Sequence, residues 1–250
     1  MKIKVALIIT TFDSCEMLES VLQSVLVQNL WPSEVIIADD GSQPTTRDLI
    51  SRWGTKLPIV YVWQKNSGFR AAAVRNLAIL KSRFDYLIFI DGDCVLPRSF
   101  VQSHVELARE SKIVSGGRLL IDSGRQVGKS ISAVKSFKLW RLPLGVLRDV
   151  TPRKWSQVRT CNVSLFKKAA LKVFGFDESY VGWGREDSDF VVRLLRVGQE
   201  VRSARFAATV IHMYHPRECR SLLSLNDARF SALLKDPSRA YATESRLSNL

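Results

Sequence analysis

The stretch "YLIFIDGDCV", residues 86–95, decides the fold. Tyr86 to Ile90 are apolar or aromatic without alternation, and they run straight into Asp91-Gly92-Asp93. A strand with no polar face is covered on both sides, as in parallel sheets flanked by crossover helices. The same unit recurs upstream. "KVALIITTF" (4–12) is another continuous run, and "SCEMLESVLQSVLVQ" (14–28) sets Leu18, Val21, Leu22, Val25 and Leu26 at helical spacing behind a capping Ser14. "EVIIADD" (34–40) then predicts a strand, residues 44–53 a helix, "IVYVW" (59–63) a strand and "AAAVRNLAILKS" (71–82) a helix. This alternation predicts an α/β architecture: a doubly wound, mostly parallel sheet with helices on both faces, forming a single large domain. At 250 residues and 46% hydrophobic content the chain can bury such a core.

In sheets of this kind ligands bind outside the carboxyl ends of the strands. Thr10, Thr11 and Asp13 follow the first strand, Asp39-Asp40-Gly41-Ser42 the second, Asn66 to Arg70 the third and Asp91-Gly92-Asp93 the fourth. One crevice can collect all four clusters. Two carboxylates a glycine apart repel and raise one another's pKa unless a cation compensates, which points to a divalent metal with oxygen ligands. The glycine leaves room for a phosphate. An isolated Asp-x-Asp is short and common, and its plain alternative is a solvated turn. A helix-loop-helix calcium site is excluded, because counting from Asp91 puts Leu96 at the glycine position and Gln102 at the bidentate Glu position.

Two further motifs follow. "GWGREDSDFVVRLLRVG" (182–198) opens an amphipathic helix with Glu186, Asp187 and Asp189, and its apolar face is Phe190, Val191, Leu194 and Leu195. Acids in a first turn also suit the helix dipole with no chemistry attached. Against that stands Gly182-Trp183-Gly184, which offers an aromatic face for a sugar ring beside the acids. "ATVIHMYHPR" (208–217) carries His212 and His215. Pro216 disfavours a helix there, and on a strand two residues three apart point to opposite sides. One histidine suffices for a metal site, while a packed core histidine is the plain alternative. A zinc site from His212, His215 and Cys219 is a weaker option, with no second cysteine nearby.

The order strand-"TTF", "VIIADDGS", "NSGFRAAAVRN", "IFIDGDCV" and "GWGREDSDF" strongly resembles the family-2 glycosyltransferases of GT-A fold, over about residues 4–216. The "GWG-ED" portion is similar to galactose and N-acetylhexosamine transferases. The resemblance implies a metal-dependent, inverting hexosyltransferase that moves a sugar from a UDP-sugar to a glycan or lipid-linked glycan in surface polysaccharide synthesis, with manganese or magnesium as cofactor. It assigns Thr10, Thr11, Phe12 and Asp40 to the nucleobase pocket and Arg75 to the nucleotide. Asp91 becomes a ribose or metal contact, Asp93 and His212 metal ligands, and Trp183 a donor-sugar contact. Asp187 becomes the catalytic base, with Glu186 positioning the acceptor. The plain alternatives are an Asx-turn at Asp40, a surface ion pair at Arg75 and a helix cap at Asp93. Arg185 stands where many relatives carry glycine. The implied organisation is a domain over 1–216, with a nucleotide-binding half (1–117) and an acceptor and catalytic half (118–216), and then a C-terminal helical extension (217–250).

The formal charge is +13, and residues 125–172 hold twelve Lys or Arg against one acid, Asp149. With Phe137, Leu139, Trp140, Leu142, Leu144 and Trp155 interspersed, this segment predicts peripheral attachment to an anionic membrane surface. The opening "MKIKVALIITTF" is too short for a signal core or a membrane span, which predicts a cytoplasmic chain, peripheral at the inner membrane face. Cys15, Cys94, Cys161 and Cys219 lack paired metal spacing and read as reduced. Two readings compete. A retaining transferase or nucleotidyltransferase would share the crevice, and a basic nucleic-acid-binding protein would explain the charge but brings no recognised motif.

Overall fold

The computed structural model describes residues 3–121, 154–216 and 219–249. The first half alternates as its periodicity dictates: β1 (Val5–Thr11), α1 (Cys15–Leu26), β2 (Glu34–Asp39), α2 (Pro44–Trp53), β3 (Ile59–Trp63), α3 (Ala71–Lys81) and β4 (Tyr86–Asp91). Neighbouring strands in the order β3-β2-β1-β4 pair in parallel. Each apolar run serves two cores. Val5, Leu7 and Ile9 of β1 pack on one face with α1 and α2, whereas Ala6 and Ile8 pack on the other with α3.

The second half comprises β5 (Cys94–Val95), α4 (Phe100–Leu107), β6 (Lys112–Leu120), β7 (Asn162–Phe166), α5 (Lys167–Lys172), α6 (Glu186–Arg196), β8 (Glu200–His212) and α7 (Leu223–Lys235). The full order is β3-β2-β1-β4-β7-β6-β8-β5. β7 runs antiparallel to β4 and β6, and β8 is parallel to β6 but antiparallel to β5. The mostly parallel expectation thus describes the first four strands, and the remainder is mixed. Only Gly92 and Asp93 separate β4 from β5, yet three strands lie between them in the sheet. Four strand spacings are about 19 Å, whereas three Cα steps reach about 11 Å at most. The sheet therefore curls, which brings the end of β8 to the end of β4.

A local irregularity accommodates the curl. Gly116 pairs with Ala204 but Gly117 with Thr209, so β8 bulges between them. The Asn162 amide donates across the bulge to the Gly117 carbonyl (2.7 Å) and the Ala208 carbonyl (2.6 Å). A Cβ on residue 116 would fall 2.1 Å from Asn162 Nδ2 and 2.2 Å from the Ala208 oxygen, which leaves room for glycine alone.

Residues 122–153, with Lys135, Phe137, Lys138, Leu139, Trp140, Arg141, Leu142 and Leu144, lie outside the described residues, and so does most of the segment expected at a membrane. Trp155 does not fit that expectation. It packs between the main core and a small cluster of Val192, Phe230 and Leu233, its ring edge-on to Phe230 at 5.0 Å. Burying an indole between α6 and α7 removes more apolar area from water than a surface position would.

Candidate active site

The strand ends converge on a cleft of about 470 Å³. Thr10, Thr11, Phe12, Asp40, Arg75 and Asp91 line it, together with Asp93, Trp183 and His212. Parallel register sets Thr10 beside Asp91, and the Gly92 N–H donates to the Thr10 carbonyl at 2.7 Å. A Cβ on Gly92 would press to 3.0 Å on Thr11 Oγ1, a buried hydroxyl with no protein partner. Glycine thus keeps the floor open beside an unsatisfied polar atom.

The Asx-turn falls on Asp39, not Asp40. Asp39 Oδ1 accepts the N–H groups of Gly41 (3.1 Å) and Ser42 (2.8 Å), and its other oxygen accepts the Tyr61 hydroxyl at 2.7 Å. Asp40 faces the cleft, taking hydrogen bonds from Gln64 Nε2 and the Arg70 N–H, each at 2.6 Å. Burial raises its pKa, and these donors counter the rise in part.

Arg75 is buried rather than part of a surface pair. Its guanidinium donates to Asp91 Oδ1 (3.1 Å), Glu186 Oε1 (3.2 Å) and Thr10 Oγ1 (3.3 Å), tying α3 to β4, α6 and β1. Burial opposes its charge, but Asp91, Glu186 and Asp187 hold its pKa above the ordinary value. Glu186 shows the reverse balance: burial and the neighbouring Asp187 carboxylate push its pKa up to about 7, despite Arg75. Its second oxygen is buried without a partner. Neither Glu186 nor Asp187 lines the cleft; Glu186 reaches it through Arg75, and half-buried Asp187 caps its neighbour, accepting the Ser188 N–H at 2.8 Å. The third acid, Asp189, belongs to the core. It is fully buried against Arg193 at 2.6 Å, and Arg193 in turn donates to the Val173 and Gly175 carbonyls.

The turn before α6 is tightly bent: Gly182, Gly184 and Arg185 have φ of 79°, 106° and 78°. Arg185 therefore occupies a left-handed position that favours glycine, and its Nε reaches Asp227 on α7 at 2.5 Å. Trp183 is 36% exposed at the cleft, with the Arg220 guanidinium 4.5 Å from its ring centroid.

Asp93 is not a helix cap. Its Oδ2 lies 3.2 Å from His212 Nε2 and 3.1 Å from His215 Nε2. The register Cys94↔His212 across β5 and β8 produces the first contact, and β8 ends at His212, so strand alternation does not carry His215 to the opposite side. Burial would raise the Asp93 pKa, but hydrogen bonding to His215 and the charge of His212 hold it below the ordinary range. One potential ligand atom from each of the three residues lies within 4.8 Å of the others, and a carboxylate with two imidazoles suits a divalent transition metal. His215 was open in the sequence and joins this cluster; Asp91 does not, its Oδ1 being held by Arg75. Cys219 lines the same cleft outside the cluster.

The sequence model described as "Glycosyl transferase family 2" matches residues 6–175, and that described as "N-terminal domain of galactosyltransferase" matches residues 149–216. The chain is 28% identical over 231 residues to a chondroitin synthase of Escherichia coli, an alignment covering 81% of this chain and 34% of the relative. It is 30% identical over 221 residues to a hyaluronan synthase of Pasteurella multocida, covering 77% of this chain and 23% of that protein. The chain thus spans about a third of the first of these relatives and about a quarter of the second. In structure it is similar to S. aureus TarS 1-349 in complex with UDP-GlcNAc (TM-score 0.64, 17% identity, covering 86% of this chain and 60% of that one). It is also similar to the mannosyltransferase PcManGT from Pyrobaculum calidifontis in complex with GDP-Man and Mn2+ (TM-score 0.65, 17% identity, 94% and 65%). At that identity the likeness concerns the fold, which is GT-A. The family match over residues 6–175, more than half of the chain, agrees with the strand-end cleft, and the chain belongs to glycosyl transferase family 2.

Proposed function

We propose that the protein transfers a sugar, of the galactose or N-acetylhexosamine type, from a UDP-sugar to a glycan or lipid-linked glycan with inversion, in polysaccharide synthesis. The observation that carries the reading is the convergence of Asp93, His212 and His215 on the cleft that buried Arg75 closes from behind. Similarity to a chondroitin synthase and a hyaluronan synthase supports a polysaccharide product.

In this reading residues 1–117 hold the nucleotide and 118–216 the acceptor. Thr10, Thr11, Phe12 and Asp40 receive the base, and Arg75 keeps Asp91 oriented toward the nucleotide. A divalent cation on Asp93, His212 and His215 would offset the charge that develops on the departing diphosphate. Asp187 accepts the proton from the attacking hydroxyl, on the face opposite the leaving group, and Glu186 positions the acceptor. The pKa of Glu186 near 7 favours it as the second candidate for the base.

A screen of UDP- and GDP-sugars for release of the nucleoside diphosphate tests donor and metal together. Turnover of a UDP-sugar that stops on chelation is expected; turnover of none overturns the reading, and retention of the donor's anomeric configuration overturns inversion. Among the described residues no helix is long and apolar enough to cross a membrane. Attachment at the cytoplasmic membrane face through residues 125–172 belongs to the same proposal, and salt-sensitive binding to anionic liposomes checks it.

A further inference from the structure

Resting on the assignment of Asp40 to the base, we infer that Gln64 is a positioning residue that holds Asp40 as an acceptor, so that the site selects uracil over cytosine. Gln64 follows β3 directly. Its backbone N–H donates to the Asp39 carbonyl at 3.2 Å, which extends the pairing of Asp39 with Trp63 by one step and sets Gln64 beside Asp40. Gly41 lets the two loops close on each other: its φ is 98°, and a Cβ there would fall 2.4 Å from the Asn66 nitrogen. Asp39 is turned away, its oxygens being taken by Gly41, Ser42 and Tyr61.

The hydrogen bonds fix which end of the Gln64 amide meets Asp40. Nε2 gives one hydrogen to Asp40 Oδ1 at 2.6 Å and the other to the Arg70 carbonyl at 3.3 Å. A carboxylate and a carbonyl only accept, so a flipped amide would set its own oxygen against both. The arrangement leaves Gln64 Oε1 buried with no partner among the described residues, a cost the fold carries while keeping the donor on Asp40. With the Arg70 N–H on Oδ2 at 2.6 Å, each carboxylate oxygen holds one donor and keeps a lone pair for a ligand. Burial is the largest influence on Asp40 and favours the proton, as does Asp39, whereas Gln64 and Arg70 favour the ionised acid. Loss of Gln64 therefore lets Asp40 keep its proton to higher pH. The chemistry of the base follows. N3 of uracil carries a hydrogen that an ionised Asp40 accepts, whereas N3 of cytosine is itself an acceptor and pairs only with a protonated acid.

Calorimetry on the full chain, with manganese present, compares UDP with CDP at about pH 7.5 and about pH 5.5. The two ligands share a diphosphate, so its contacts and the titration of the nearby histidines cancel in the ratio of affinities. The wild type is expected to bind UDP at least about tenfold tighter than CDP at the higher pH, as suits a hydrogen bond to an ionised group. In Gln64→Met, which keeps the length of the side chain without its donor, that ratio should fall at least about threefold, and further at the lower pH. Gln64→Glu keeps the shape, sets a second carboxyl against Asp40 and should lower the ratio at least as far. Variants that weaken UDP and CDP alike would make Gln64 a scaffold for its loop and overturn the proposal, as would a wild type that binds both equally. Gln64 is half-buried, and circular dichroism of each variant confirms that a lost ratio is not a lost fold. A wild type that binds neither nucleotide would overturn the nucleotide-site reading itself, and the proposal with it.

Discussion

Arg75 sits in an alanine-rich helix, and from the sequence its partners could have been any acids on a neighbouring surface. The fold gives it Asp91 and Glu186, so that one guanidinium links the helix, the fourth strand and the acidic turn. Residue-level roles follow from such partners. Asp187→Asn preserves shape and cannot take up a proton, so turnover is expected to fall by roughly two to four orders of magnitude while calorimetry shows UDP still bound. If Glu186→Gln causes that fall and Asp187→Asn does not, the base is Glu186. For the metal, two imidazoles and one carboxylate favour manganese, cobalt or zinc over magnesium or calcium. Asp93→Ala, His212→Ala and His215→Ala should each weaken manganese binding at least about tenfold, read by calorimetry with the metal alone. An unaltered affinity in His215→Ala would return the site to the single histidine favoured from the sequence. Asp93 and His212 were legible because each closes or follows a strand. His215 was not, because alternation describes it only if the strand continues, and β8 stops at His212.

Between α4 and β7 lies a buried polar network that no motif announced. His104 contacts Ser164 through Nδ1 (2.7 Å) and Asn162 through Nε2 (3.0 Å), and Ser164 also meets the Tyr86 hydroxyl at 2.7 Å. Since the Asn162 amide nitrogen already donates to the β8 bulge, its oxygen accepts from Nε2–H, and neutral Nδ1 accepts from Ser164. Burial pushes the His104 pKa down to about 4. Its folded value lies below the unfolded value of 6.5, so the unfolded chain binds the extra proton between them. The contribution is whole above about pH 6.5 and is lost as pH falls toward 4, by about 3 kcal/mol at most. Urea unfolding of wild type against His104→Gln should show the wild type losing stability more steeply between pH 6.5 and 5, where most carboxylates remain ionised. Parallel slopes would mean the ring is not held neutral. The elements of the first half, up to β4, were legible from period alone, and residues 44–53 form the helix expected there; α4 and β7 were not read from the sequence. The network was not, since a histidine on an apolar helix face reads the same whether its partners are waters or a distant strand.

At the scale of the molecule, the chain after α7 folds back as a strap. Fully buried Asp177 accepts from Arg239 Nη2 (3.0 Å) and the Thr243 N–H (2.8 Å), while Glu178 takes Asn76 Nδ2 (2.9 Å) and pairs with Arg246 at 3.0 Å. Asn76 also donates to the carbonyl of Phe176, whose ring lies 5.5 Å beneath the Arg75 guanidinium. Removing residues 239–249 strips Asp177 of these donors and exposes the bed of Leu247. A stability loss of about 3–5 kcal/mol in urea is expected, together with weaker UDP binding by calorimetry, because Arg75 loses its backing. Normal UDP affinity in the truncated protein would confine the strap to stability. By itself the sequence determined the strand and helix order of the first half, the two-sided burial of its strands and the collection of polar clusters at their carboxyl ends. These follow from hydrophobic periods and turn chemistry, which act over a few residues. Only the tertiary structure decided that Cys94 pairs with His212, that Arg75 meets Glu186, and that Asp189 serves the core while Glu186 and Asp187 stand near the cleft. Those contacts depend on strand order and on the curl of the sheet, which the whole core settles through burial summed over segments far apart in the chain.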